Sequence, residues 1–148
     1  MTGGRVPDGH ERWDAYLTQI TGWPSAPDGS RPVFLQTHEP SGATVRFAGR
    51  TLRERGRLEV FLEGKLGFQL LAHHPGYLFF EDSEGSTLAL LGAAEIVREA
   101  RRQVTVLPEG ARLEWHFADG HGAAGVQRLL EKARLFEVNV SYTPEAGR

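Results

Sequence analysis

The last third of the chain restricts its fold most tightly. Leu113, Trp115 and Phe117 alternate with polar residues; Val126, Leu129, Leu130 and Ala133 then recur at helical spacing; and Phe136, Val138, Val140 and Tyr142 alternate again. A period of two, a period near 3.6 and a second period of two read as strand, helix, strand. A strand that returns through a helix lies parallel to the strand it left. Upstream the pattern changes. Val45 and Phe47 alternate with Arg46 and Ala48, and a few residues on Leu58, Val60 and Leu62 alternate with Glu59, Phe61, Glu63 and Lys65. Two strands joined that closely form an antiparallel pair. The expectation is a mixed sheet flanked by helices, an α/β chain of the α+β mixed kind.

The flanking helices are also visible. Trp13, Tyr16, Leu17 and Ile20 share one helical face, Asp8 and Glu11 have capping-box spacing, and Gly22 can end the helix. Leu90, Ala93, Val97, Ala100 and Val104 mark the buried stripe of a long helix, which leaves Glu95, Glu99 and Arg102 on its outer face. Asp119 stands near the start of the final helix. A Pro/Gly/Ser-rich loop over 24–32 precedes a short strand at Val33–Gln36 and a Pro40-Ser41-Gly42 turn. The apolar run Tyr77–Phe80 ends in the acidic turn EDSEGS. With 148 residues, no internal repeat and no interdomain linker, a single domain over 1–148 is expected.

Composition removes several chemistries. The absence of cysteine excludes disulfides, thiolate metal sites and cysteine nucleophiles. No apolar stretch approaches the roughly 20 residues of a membrane span, so no membrane association is expected. The start, MTGGRVPDGHER, lacks a basic-then-apolar signal pattern. Net charge is −2, which counts against a general nucleic-acid binder. Locally the balance reverses, because Arg46, Arg50, Arg53, Arg55 and Arg57 crowd one short stretch. Such a cluster can hold a phosphate backbone or form a solvated hairpin tip.

Beside that cluster, Glu63 and Lys65 project from one face of a strand, about 7 Å apart. Phosphodiester hydrolysis needs a polarised phosphorus, an activated water and a neutralised leaving group. Carboxylate-held divalent cations supply the first two, and a lysine supplies charge neutralisation or water orientation. Glu-x-Lys alone is weak, since surface strands often carry both residues.

The tail LEWHFADGHGAAGVQRLLEKARLFEVNVSYTP, the Arg101-Arg102-Gln103 segment and the opening YLTQITG together resemble the restriction-endonuclease-fold toxin domains of bacterial polymorphic toxin systems. The chain is most similar to the fifth such family, found among type VI secretion effectors, over roughly Trp13 to Pro144. The resemblance implies a restriction-endonuclease-like sheet and a Phe-Asp-Gly motif ahead of Glu-Ala-Lys, with the Asp and Glu binding metal. Here Phe47-Ala48-Gly49 and Glu63-Gly64-Lys65 stand at those places. Glu63 carries over as a metal ligand for Mg²⁺ or Mn²⁺, and Lys65 as the residue that orients water or stabilises charge. Ala48 has no ligand atom, as in an engineered safe form of a toxin or a natural inactive relative.

The resemblance further implies a secreted effector acting on double-stranded DNA in the cytoplasm of a target bacterium, with a cognate immunity protein as partner. Arg46 and Arg50 are the candidate phosphate contacts. Glu11 is a candidate helix acid for the site, or simply a cap. Gln103 is a candidate to reach the active face, or a solvent-facing side chain. His116 and His121 flank Asp119 without a third ligand at zinc spacing. The competing reading is a non-enzymatic module that binds DNA or protein, or an unrelated immunity or adaptor protein. Nothing in the residues fixes oligomeric state.

Overall fold

The computed structural model describes residues 9–28, 34–38, 42–65, 69–70, 77–81 and 88–147. The chain is mixed α/β. Helix α1 (Gly9–Thr21) is followed by strands β1 (Phe34–His38), β2 (Ala43–Phe47), β3 (Gly49–Arg53), β4 (Leu58–Lys65), β5 (Gln69–Leu70), β6 (Tyr77–Glu81) and β7 (Leu88–Gly92). Helix α2 (Ala93–Thr105), β8 (Arg112–Phe117), α3 (Gly120–Lys132) and β9 (Val138–Tyr142) complete the order.

The main sheet runs β3-β4-β8-β9. β3 and β4 are antiparallel, whereas β4–β8 and β8–β9 are both parallel, so the sheet is mixed as expected; the strand carrying Val45 and Phe47, however, is β2, which pairs with β1, and β3 takes the place beside β4 that was expected of it. β1 and β2 form a hairpin and β5-β6-β7 an antiparallel sheet of three strands.

β4 is covered on both faces. Its odd-numbered residues share a side with Leu113, Trp115 and Phe117, their partners or near-partners in register. That side holds the main core, in which Phe47, Phe61, Ile96, Ala100, Val126, Leu130 and Val138 close over Trp115. Phe47 and Phe61 meet with ring centroids 4.7 Å apart. The even-numbered side, with Val60 and Leu62, faces α1. A Cβ on Gly64 would lie 2.8 Å from Ile20 Cδ1 and 3.0 Å from Leu17 Cδ2, so the glycine lets α1 settle directly on the strand.

The segment after β9 lies along α1 and is fastened to it at several points. Arg12 makes a two-pronged ion pair with Glu145, with Nη2–Oε1 at 2.7 Å and Nε–Oε2 at 3.0 Å. Tyr16 Oη donates to Thr143 O at 2.8 Å. Gln19 donates to Pro144 O and accepts from Ala146 N, each at 2.9 Å.

Several sequence expectations need correction. Leu90 lies in β7, not in the long helix. The buried stripe of α2 includes Ile96 and Gln103, with Val97 and Val104 only half-buried. The closing strand begins at Val138; Phe136 sits in the preceding turn and is 68% exposed. The first sheet strand is Phe34–His38, and Val33, Pro40, Ser41, Asp8 and the EDSEGS turn (of which only Glu81, in β6, is described) otherwise lie outside the described residues. Asp119 is the N-cap of α3, accepting from Gly122 N at 2.7 Å.

Candidate active face beside Glu63

Ala48 is not within a strand. It forms the bend between β2 and β3, and its N–H donates to Glu63 Oε1 at 2.9 Å. The register Gly49↔Leu62 sets residue 48 opposite Glu63. A side chain at this bend therefore starts one bond from an atom already touching the Glu63 carboxylate.

Two turns of α2 close over the same carboxylate. Gln103, 3% exposed, donates a side-chain hydrogen bond to Glu63 and accepts one from Trp115 Nε1 at 2.7 Å. Lys65 Nζ is 2.7 Å from Glu99 Oε1 and 4.9 Å from the centroid of the Trp115 ring. Glu63, Lys65, Glu99 and Gln103 are thus one constellation on the floor of Trp115. The outward assignment of Glu99 on α2 is overturned, and Gln103 takes the inward of its two alternatives.

Burial pushes the Glu63 carboxyl up to about 7, with Glu99 adding to the rise. Lys65, the Ala48 N–H and Gln103 oppose it without cancelling it. The folded state therefore holds this proton more tightly than the unfolded chain, whose carboxyl titrates near 4.5. Stability from this group is full below pH 4.5 and is lost as pH rises through 7. Partial exposure of the residue discounts the loss to about 1–3 kcal/mol. Glu63→Gln should consequently stabilise the chain at pH 8 and flatten the fall between pH 4.5 and 7. Urea melts of both chains across that range measure it; a fall that is just as steep in Glu63→Gln would remove Glu63 as its source.

A cavity of about 440 Å³ opens beside this constellation, lined by Thr44, Arg46, Arg98, Glu99, Arg102 and Gln103. Arg46 is exposed on its wall, as its candidate role requires. Arg98 and Arg102 join it from α2; sequence reading had assigned Arg102 to an outer face and had not singled out Arg98. Arg50 is not on the cavity wall and is ion-paired with Glu59. Arg53 is ion-paired with Glu114 on the α1 side of the sheet. Glu11 is exposed on α1, across the sheet from Glu63, so the structure does not bring those two acids together.

The donor set does not suit a hard divalent cation, which takes several oxygen ligands. One Glu63 oxygen accepts from Ala48 N–H, one Glu99 oxygen is held by Lys65, and Ala48 supplies none. Among the described residues no three His, Asp or Glu side chains gather as a metal site. That includes His116, which contacts Thr143 and Glu114. Among the described residues, no helix is long and apolar enough to cross a membrane. Comparison with family models, with curated proteins and with solved structures finds no match.

Proposed function

We propose that the chain is a toxin-type nuclease domain, built to hydrolyse DNA with a divalent metal and lacking one metal ligand at position 48. The observation that carries this reading is the contact of Ala48 N–H with Glu63, which brings the Phe-Ala-Gly bend and the Glu-x-Lys strand to one point beneath an arginine-lined cavity. A nuclease needs that combination: acids at the reacting phosphate, a lysine beside them, and cations spread along the neighbouring backbone. Secretion into a target bacterium and a protective immunity partner belong to the same reading. The test is plasmid cleavage in Mg²⁺ and in Mn²⁺ by this chain and by Ala48→Asp. Background activity from both, on DNA and on RNA, would remove the enzyme reading.

A second reading is favoured by one feature: Glu63 is satisfied by Ala48 and Gln103 with no cation needed. It is an inactive relative that keeps the cavity to bind nucleic acid. Either reading requires Arg46, Arg98 and Arg102 to meet phosphate. Replacing any one by Ala should lower the slope of log affinity against log salt by about 1, equally for unrelated sequences. Fluorescence anisotropy on duplex DNA measures it, and unchanged slopes would mean that phosphate does not enter this cavity.

A further inference from the structure

We infer that two copies of this chain pair through β9, antiparallel about a two-fold axis at Val140, to join their main sheets. β9 ends the sheet order, and among the described residues no strand pairs with its outer side. Natural edge strands are guarded by charges, proline or bulges. Val138-Asn139-Val140-Ser141-Tyr142 has no charge and no proline, and its five residues pair with β8 in unbroken register. The opposite edge, β3, is different: its Arg50 and Arg53 are ion-paired across the sheet with Glu59 and Glu114.

Backbone direction and strand length together set the register, because an axis at the central Val140 pairs all five residues of β9. Thr143 N–H donates to Phe117 O at 2.7 Å, so the odd residues of β9 turn their backbone groups toward β8. Val138, Val140 and Tyr142 turn theirs outward, with the Val138 N–H directed to Leu135 O in the preceding turn. An axis at Val140 matches these groups. The two Val140 residues exchange N–H···O bonds, and each Tyr142 N–H meets the Val138 carbonyl of the other copy.

Side chains agree with this register. Phe136 and Tyr142, 68% and 60% exposed, are the two most exposed large apolar residues described, and both border β9. A groove of about 340 Å³ runs between α3 and β9; Leu130, Leu135, Phe136, Val138 and Val140 give it an apolar floor, and Gln127, Glu131 and Asn139 complete the lining. Directly opposed residues in an antiparallel pair share a face. Tyr142 of one copy therefore enters the groove of the other beside Val138. The chain supplies both the groove and the ring that fills it, which is the self-complementarity a two-fold interface needs.

The experiment is sedimentation equilibrium of the chain alone up to about 100 µM, a range suited to a contact below standard interface size. A dimer is expected, weakened at least about tenfold by Tyr142→Glu, which sets a second carboxylate in the groove beside Glu131. Register is tested by single cysteines in this cysteine-free chain. Val140→Cys faces itself across the axis and should form a disulfide-linked dimer on mild oxidation, whereas Tyr142→Cys faces Val138 and should not. A monomer at all concentrations would overturn the proposal and leave β9 to a different partner. So would a dimer indifferent to Tyr142→Glu, or Val140→Cys cross-linking no better than Tyr142→Cys.

Discussion

Under the proposed nuclease reading, Ala48→Asp should raise metal-dependent cleavage by roughly two orders of magnitude or more, because it sets a second carboxylate beside Glu63. The added carboxylate would arise at the bend whose N–H lies 2.9 Å from Glu63 Oε1. Without a cation the two acids repel, so Glu63, already raised to about 7, should be driven higher. The variant should then melt below the parent in chelator and rise on adding Mg²⁺, a gain the parent does not show. That thermal signature separates a restored metal site from a trace nuclease contaminant. Adding Glu63→Ala should remove both the cleavage and the Mg²⁺-dependent rise, since acids that share one ion act as a unit. Cleavage that survives Glu63→Ala would place the chemistry elsewhere.

Trp115→Ala should destabilise the chain by about 3–5 kcal/mol, toward the upper end. Trp115 is fully buried at the centre of the core. Its loss opens a cavity and also strips Gln103, itself buried, of the indole N–H it accepts at 2.7 Å. Trp115→Phe loses the same hydrogen bond but retains a six-membered ring and so leaves a smaller cavity, so it should cost about 1–2 kcal/mol less than the alanine. Chemical denaturation measures both. A loss under about 1 kcal/mol for the alanine would contradict the burial described.

Trp115 was legible because alternation along a strand directly marks its buried face, and Leu113 and Phe117 on either side repeat the signal. The same logic hid most of the site. On α2, Glu99 was assigned outward because polar residues ordinarily face solvent, and Gln103 fitted solvent as well as the active face. An active face, however, has to point polar groups inward, where periodicity cannot tell them from a solvated stripe. The partner that reverses the assignment, Lys65 for Glu99 and Trp115 for Gln103, comes from another element. The partner of Arg50 was hidden for a related reason: the nearest charged residues in sequence are Arg46 and Arg53, and the Glu59 that engages it is on the next strand. Leu90 fitted a helical stripe by spacing alone, and only its pairing with Phe79 across β6 and β7 shows the strand. Leu129, expected in the core, is half-buried, whereas Phe117 and Val138 are buried as expected.

The bonds between α1 and the tail set a timetable for folding. Tyr16 and Arg12 find their partners 127 and 133 residues later. During synthesis α1 emerges well before these polar anchors. Its apolar side must wait as well, because the sheet it covers is completed only when β8 joins β4. Contacts this distant along the chain slow folding and leave apolar surface uncovered in the interval. A nascent chain would thus remain open and pliable until Thr143, Pro144 and Glu145 arrive to fasten α1 in place.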